Sequence, residues 1–284
     1  MKKTDMRRAG SSPSRTFGIG LLVVLVLGAA GWFGWQRMHA PMSASPAPAV
    51  PAAAPDHAAT VPVPASARTV ATAPAPAPAS TAMLPALEAS DEDTLASLLA
   101  LFGEGLRGLV VPDELIRRIV ATVDALPRTA LPVRLLPLRT PPGAFRVNRN
   151  ADGTLTVAAD NAQRYAPYVQ LAERADPQAV AAWYTRHYPL FQQAYRELGY
   201  PHGEFHQRLL TAIDDLLAAP EPRQPPTLVQ PKVYYAYADP ALESLSAGQK
   251  LMIRMGPDNE ARLKAKLRAL RAALVQDAGM PAGH

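Results

Sequence analysis

The sequence of 284 residues contains no cysteine. This absence excludes disulfide bonds, thiolate zinc sites, iron–sulfur clusters, a cysteine nucleophile and a lipidated N-terminal cysteine. The sequence also lacks a serine in the Gly-x-Ser-x-Gly pattern of a nucleophile elbow, a glycine-rich phosphate loop and an internal repeat. At about 150 residues per domain, the length allows one or two domains, each large enough for a hydrophobic core.

Most of the chain has no excess of charge of either sign, although the formal net charge is +5. Residues 1–83 hold seven basic and two acidic residues and therefore carry the whole excess. Residues 84–284 hold 22 of each kind and are neutral. A neutral folded region argues against nucleic acid as a partner.

An uncharged and strongly hydrophobic stretch predicts a transmembrane helix over residues 17–36. Its 19 residues from 17 to 35 would span about 28 Å as a helix, close to the ~30 Å hydrocarbon core of a bilayer. Five basic residues precede the stretch, so the positive-inside rule places residues 1–16 in the cytoplasm. The alternative is a signal peptide cleaved near residues 28–31, although apolar character continues to Trp35.

Proline is concentrated ahead of the folded region, with eleven of the 30 prolines between Pro41 and Pro85. Residues 37–83 consist mostly of alanine, proline, valine, serine and threonine, which cannot bury a core or form a continuous helix. This composition predicts a disordered linker with polyproline character, which could reach on the order of 100 Å. The linker would hold the folded domain well away from the membrane.

Residues 84–276 have the pattern of a mainly α-helical globular domain, followed by a disordered tail at residues 277–284. Ser90 has the position of a helix N-cap, and Pro112 that of the first turn of a second helix. Pro189 lies inside a long helical pattern and should kink or divide that helix.

Strand signals are few. Residues 145–147 and 154–157 are separated by a turn and predict a small β-hairpin. Residues 228–237 are ambiguous between extended and helical structure. Ser246 begins a capping box for a short helix that follows them.

The last predicted helix, at about residues 258–276, carries an apolar stripe at helical spacing, formed by Leu263, Leu267, Leu270 and Leu274. The stripe could pack on its own domain, which we favour because two heptads are short for a free coiled coil. The alternative is a homo-oligomer formed through this C-terminal helix.

Several long segments carry a resemblance to a known family: residues 131–139, residues 188–201, and residues 228–240 with 245–257. They are similar to the domain of unknown function 3014 family, whose members are bacterial membrane proteins with a single span. The resemblance covers roughly residues 85–275. It implies a bacterial envelope protein. The basic residues before the hydrophobic stretch then predict a single-pass protein of the inner membrane, with the N-terminus in the cytoplasm and the folded domain in the periplasm. It implies no reaction and no catalytic residue.

Two acidic residues, Glu197 and Glu204, flank a predicted turn and lie near the aromatic residues Tyr195, Tyr200 and Phe205. A cleft with aromatic walls and two carboxylates would suit the binding or cleavage of a glycan. This pattern predicts, as an alternative function, a cell-wall (peptidoglycan) hydrolase that uses Glu197 or Glu204. The competing interpretation is charge at a helix end beside core aromatics.

A second group of candidate binding residues combines polar and aromatic side chains near prolines: Gln230, Lys232, Tyr235, Asp239 and Lys250. Lys232 and Lys250 could bind an anion, or pair with Asp239 and Glu243. Asp239 also precedes a proline, which is the pattern of a helix N-cap.

His202 and His206 have the i, i+4 spacing that can hold zinc on a helix, and His187 could supply a third ligand. A zinc protease of the His-Glu-x-x-His type needs its glutamate beside the first histidine, whereas Glu204 lies midway between the two. We therefore predict no metal site and no cofactor, and a metal-dependent enzyme is the weakest alternative.

Taken together, these patterns predict a non-enzymatic binding or scaffold module of the cell envelope. The expected partners are the lipid bilayer, through residues 17–36, and an envelope protein or peptidoglycan. Whether the domain also has an activity stays open at this point.

Overall fold

The computed structural model describes residues 84–231 and 234–279, with side chains as far as residue 277. The predicted cytoplasmic tail, membrane segment and linker lie outside these residues, as do Lys232 and the end of the predicted C-terminal tail. Within the described ranges, no helix is both long and apolar enough to cross a membrane.

The described residues form a mainly helical domain with a small antiparallel sheet, as the sequence predicts. Its helices are α1 (Asp91–Phe102), α2 (Leu115–Ala125), α3 (Asn161–Glu173), α4 (Pro177–Glu197), α5 (Phe205–Leu217), α6 (Pro240–Glu243), α7 (Ala247–Arg254) and α8 (Pro257–Gly279). Its strands are β1 (Val147–Arg149), β2 (Leu155–Val157), β3 (Thr227–Val229) and β4 (Ala236–Tyr237).

Helix α8 is the central packing element, since it contacts α3, α4, α5 and α7. Its four stripe leucines share one side of the helix and are almost completely buried in the main core. The stripe therefore packs on its own domain. A homo-oligomer through this helix stays a prediction, and it would have to use other residues of α8.

Helix α4 runs without interruption past Pro189, so the expectation that this proline divides the helix is wrong. Tyr188 and Leu190, on either side of the proline, are buried in the main core. Tertiary packing of this kind offsets the loss of one backbone hydrogen bond. The helix begins at a regular cap, in which the Asp176 carboxylate accepts a hydrogen bond from the backbone N–H of Gln178 at 3.0 Å.

Ser90 is the N-cap residue of α1, as the sequence predicts, but its side chain does not cap the helix, and α2 begins later than predicted. The Ser90 hydroxyl donates to a backbone carbonyl of the preceding turn instead of capping α1, and α2 begins at Leu115, after Pro112. The carboxylate of Asp91 accepts hydrogen bonds from the backbone N–H groups of Glu114 and Leu115, at 2.7 and 2.8 Å. A side chain at the start of α1 thus satisfies the free N–H groups at the start of α2.

The predicted hairpin exists as β1 and β2, which pair with Val147 opposite Val157. It is half of a larger sheet, because the ambiguous residues 228–237 contribute β3 and β4 in the order β1-β2-β3-β4. The sequence predicted only the hairpin and left β3 and β4 undecided, because strands of two or three residues are too short to show an alternating pattern. The inner face of the sheet packs against α7 in a second, smaller core.

The capping box before α7 is confirmed. The Ser246 hydroxyl accepts a hydrogen bond from the backbone N–H of Gln249 at 3.0 Å, and the Gln249 side chain returns to the backbone of Ser246. The Ser246 hydroxyl also donates to the carboxylate of Asp215 on α5 at 2.6 Å. This cap therefore fixes α7 to α5 as well as starting the helix.

Candidate functional site

A groove of about 560 Å³ lies between α1 and α4, at the point where the described chain begins. This volume is within the range of ligand pockets in proteins. The first described residues, Leu84 and Pro85, form one wall, and Asp93 and Ser97 of α1 form another. Helix α1 packs against α2, and the turn Leu87–Ala89 contacts α4. We call this feature the α1–α4 groove.

Two stacked rings on α4 line the inner part of the α1–α4 groove. The Trp183 indole and the His187 imidazole have their centroids 4.6 Å apart at an angle of 29°. They are four residues apart and therefore share one face of the helix. The Trp183 Nε1–H donates to the Ser97 hydroxyl at 2.8 Å, which holds the indole against α1. The two rings cover each other's facing sides and each residue is only 7% exposed, so the groove offers a small aromatic surface, which suits apolar or cationic groups.

The protonation state of His187 follows from its surroundings. Burial lowers the pKa of His187 below its ordinary value, so the ring is neutral near pH 7. Its Nδ1 lies 2.8 Å from the carbonyl oxygen of Trp183 and therefore carries the hydrogen in the neutral ring. The lone pair on Nε2 is then the acceptor of the ring.

Opposite charges flank the rings of the α1–α4 groove. Asp93 on α1 and Arg186 on α4 are both exposed and both line the groove. Both also lie within electrostatic reach of His187, where Arg186 lowers the pKa of the imidazole and Asp93 raises it, each less than burial does. In the described part of the chain, neither side chain forms an ion pair. Each charge is therefore available to a ligand in the groove.

The two predicted acids are not brought into one site. The Glu197 carboxylate accepts hydrogen bonds from Arg117 at 2.9 and 3.0 Å, and the same guanidinium also holds Glu88 at 2.8 Å. The Glu204 carboxylate accepts a hydrogen bond from the Tyr188 hydroxyl at 2.7 Å. The two carboxylates thus have separate structural partners, and a hydrolytic role for either of them stays a prediction.

Of the predicted aromatic residues near these acids, Tyr195 and Phe205 lie in the main core, and Tyr200 belongs to a partly buried polar network. Tyr195 and Tyr200 stack with centroids 4.5 Å apart, and the Tyr200 hydroxyl contacts both Asp124 and Arg128. The Asp124 carboxylate binds Arg128 at 2.6 Å and Arg208 at 2.9 Å. We call Asp124, Arg128, Tyr200 and Arg208 the Asp124 network. It joins α2, α5 and the turn after α4.

The second predicted group is dispersed around the small sheet. Gln230 is exposed, and Tyr235 is half-buried beside Phe145, with ring centroids 6.4 Å apart. Lys232 lies outside the described residues. The Asp239 carboxylate accepts a hydrogen bond from the backbone N–H of Ala241 at 2.8 Å, which makes it the N-cap of α6. The described members of this group thus lie on different elements around the small sheet.

Lys250, the last member of that group, is buried and bonded to the Glu243 carboxylate at 2.7 Å. The second oxygen of Glu243 accepts a hydrogen bond from the backbone N–H of Tyr237 at 2.8 Å. Of the two roles that the sequence left open for Lys250, pairing with Glu243 is the one present in the structure. The pair ties α7 to β4.

The histidines are also separated. His202 is exposed, His206 is completely buried next to Tyr184, and His187 lies in the α1–α4 groove. No group of three histidine or acidic side chains that could hold a metal occurs in residues 84–231 and 234–279. The zinc arrangement considered from the sequence is therefore not assembled there.

We expect His206 to make the domain lose stability on acidification. Burial lowers the pKa of His206, the nearby Glu204 only partly opposes this, and its Nε2 has no hydrogen-bond partner. The unfolded chain, with a histidine pKa of about 6.5, therefore binds more protons than the folded domain just below that pH, and the free energy of unfolding falls as the pH falls. The free energy of unfolding, measured with urea at pH 7.5 and at pH 5.5, should fall less between these two pH values in His206→Gln than in the wild type. The exposed control, His202→Gln, should match the wild type, and equal losses in all three proteins would contradict the expectation.

The sequence did not identify Asp93, Ser97, Trp183 or Arg186 as site residues. In the sequence, Asp93 has the position of a first-turn acid of a helix, and Trp183 and His187 have the spacing of residues on one side of a helix. The one available signal was the i, i+4 spacing of Trp183 and His187. Nothing local in the sequence shows that α1 faces them across a groove.

Comparison with known proteins gives a family and no relative of known activity. Residues 115–271 match a family described as a protein of unknown function, DUF3014. No curated protein and no solved structure matched the chain. The family match includes the whole of α4, and it begins after α1. It confirms the resemblance carried by residues 131–139, 188–201 and 228–257, and since it spans more than half of the sequence, the chain belongs to the DUF3014 family.

Proposed function

We propose that this chain is a single-span protein of the bacterial inner membrane whose periplasmic domain is a non-enzymatic binding module of the cell envelope. The α1–α4 groove is the observation that carries the binding role. It combines a ligand-sized volume, a lining of stacked rings and two charges without ion pairs among the described residues. The anchor and the periplasmic location rest on the hydrophobic stretch at residues 17–36 and on the basic residues before it.

The arrangement of the acids favours binding over hydrolysis. Glycoside hydrolysis uses two carboxyl groups that face one bond, roughly 5 to 10 Å apart. Glu197 is held by Arg117 and Glu204 by Tyr188, and neither lines the α1–α4 groove. Both carboxylates therefore have a structural role that needs no substrate.

The position of the groove also fits a tethered binding module. Leu84 and Pro85, which line it, directly follow the predicted linker of residues 37–83. A linker with a reach on the order of 100 Å lets such a domain sample partners far from the bilayer. A partner held in the groove would thereby become connected to the inner membrane.

Photo-crosslinking in intact cells tests the proposal. A photoreactive residue replaces Ala182, which is exposed and lines the groove, or Ala269, which is exposed on α8 and lies outside it. We expect the full chain with the probe at position 182 to yield adducts with an envelope protein or with peptidoglycan, and the probe at 269 to yield few. Equal yields at the two positions would overturn the proposal.

Two controls accompany the crosslinking. A reporter that is active only in the periplasm, fused after residue 276, should be active, and an inactive fusion would reverse the proposed orientation. The purified full chain should leave peptidoglycan intact. If the wild type cleared peptidoglycan and Glu197→Gln or Glu204→Gln abolished this clearing, the protein would be a hydrolase and the proposal of a non-enzymatic binding module would be wrong.

A further inference from the structure

We infer that the α1–α4 groove binds a zwitterionic peptide end, in which an ammonium and a carboxylate are attached to the same carbon atom. The inference rests on the proposed function and names the class of ligand. It follows from three features of the groove: a carboxylate on one helix, a guanidinium on the other, and two stacked rings that line the space they share.

The two charges are suited to the two ends of such a group. The Asp93 carboxylate would accept hydrogen bonds from an ammonium, and the planar guanidinium of Arg186 can bind a carboxylate with two parallel hydrogen bonds. Since neither side chain has an ion pair among the described residues, a ligand would not have to displace one. A ligand with a single charge would pair with one of these side chains and leave the other without a partner of opposite charge.

The rings supply the remainder of the contact. The Trp183 N–H is already bonded to Ser97, so the indole can offer a ligand the small exposed part of its aromatic surface and not its donor group. The neutral His187 has Nε2 as an acceptor, because Nδ1 is engaged with the Trp183 carbonyl. Methylene groups next to the zwitterion can pack on the rings, and an ammonium gains both a cation–π contact and an acceptor.

This chemistry favours one kind of peptide in the cell envelope. A protein N-terminus has an ammonium without a carboxylate on the same carbon, and a C-terminus has the reverse. A peptidoglycan stem peptide that contains a diamino dicarboxylic acid has both groups on the far carbon of that side chain. Crosslinking converts the ammonium into a neutral amide and removes its charge. The groove would therefore select stem peptides whose distal amine is not crosslinked.

Calorimetric titration of the full chain in detergent micelles tests the inference. The probe is the tripeptide L-alanyl-γ-D-glutamyl-meso-diaminopimelic acid. Two analogues remove one charge each: acetylation of the distal amine, and lysine in place of the diamino acid. We expect the tripeptide to bind at least about tenfold more tightly than either analogue, because each lost group is a charge-assisted hydrogen-bond partner. Equal affinity for all three peptides would overturn the inference.

Variants assign each charge to its wall of the groove. Asp93→Asn should lose the preference for the free amine, and Arg186→Gln should lose the preference for the distal carboxylate. The matched controls are Glu92→Gln on α1 and Arg196→Gln on α4, which are exposed and do not line the groove. A loss of binding in the controls equal to that in the groove variants would count against the inference.

The outcomes separate this inference from the proposed function. Crosslinks from position 182 without tripeptide binding would sustain the binding module and reject the zwitterionic ligand. Tripeptide binding that Asp93→Asn and Arg186→Gln weaken would support both. The absence of crosslinks and of tripeptide binding would reject both.

Discussion

Replacement of Asp124 by alanine is expected to lower the free energy of unfolding by about 3 kcal/mol, the cost of removing one partner from a buried ion pair. Only 10% of the Asp124 side chain is exposed, and its carboxylate binds Arg128 and Arg208 at once. Alanine would leave the mostly buried guanidinium of Arg208 without its counter-charge and the Tyr200 hydroxyl without this acceptor. Because the Asp124 network joins α2 to α5, its disruption should weaken the packing of these two helices in the core.

Urea unfolding of the full chain in detergent micelles measures this effect, with Asp214→Ala as the matched control. The Asp214 carboxylate also binds an arginine, Arg271, with two hydrogen bonds at 2.6 and 3.0 Å, but half of its side chain is exposed. Exposed pairs contribute at most about 1 kcal/mol, so the control should lose little. Equal losses in the two variants would show that the burial of the Asp124 network has no energetic consequence.

Replacement of Leu267 by alanine should also cost about 3 kcal/mol, because it removes a fully buried side chain and leaves a cavity in the main core. The control on the same helix is Val275→Ala, where 39% of the residue is exposed and the expected change is within about 0.5 kcal/mol. The unfolding midpoint of both variants should be independent of protein concentration. A Leu267→Ala variant that keeps its stability and loses only self-association would mean that the stripe is a seam between copies.

Features fixed by neighbouring residues were predictable from the sequence. The capping box of Ser246 and Gln249 and the N-cap Asp239 act within three residues, and the structure contains both. The leucine stripe of α8 was predictable for the same reason, since residues three and four apart share one side of a helix. The mainly helical fold and the family resemblance are confirmed on this basis.

Features that depend on distant residues were not predictable. Asp91, in the first turn of α1, accepts hydrogen bonds from the backbone of Glu114 and Leu115 at the start of α2, and this contact is set by how two helices meet. Strand β3 exists because β2 offers it a partner, with Leu228 opposite Leu155. Neither interaction leaves a pattern in its own segment.

The candidate site also depends on distant residues, and for this reason the sequence did not predict it. Glu197 and Glu204 are close in the sequence, yet the turn between them directs each to a different partner. Asp93 and Arg186 are far apart in the sequence and line one groove. Proximity along the chain was therefore a poor guide to which charges act together, because the geometry of the groove is decided by the packing of α1 and α4.

The place of Leu84 and Pro85 has a mechanical consequence. Any tension along the preceding chain enters the domain at these two residues, which are also a wall of the α1–α4 groove. A pull that draws them away from α4 would open the groove before it reached Leu87, the first fully buried side chain behind them. With the proposed membrane anchor, tension on the linker would rise as the distance between the cell wall and the inner membrane grows. The lifetime of a partner bound in the groove would then shorten, and the partner would dissociate under tension.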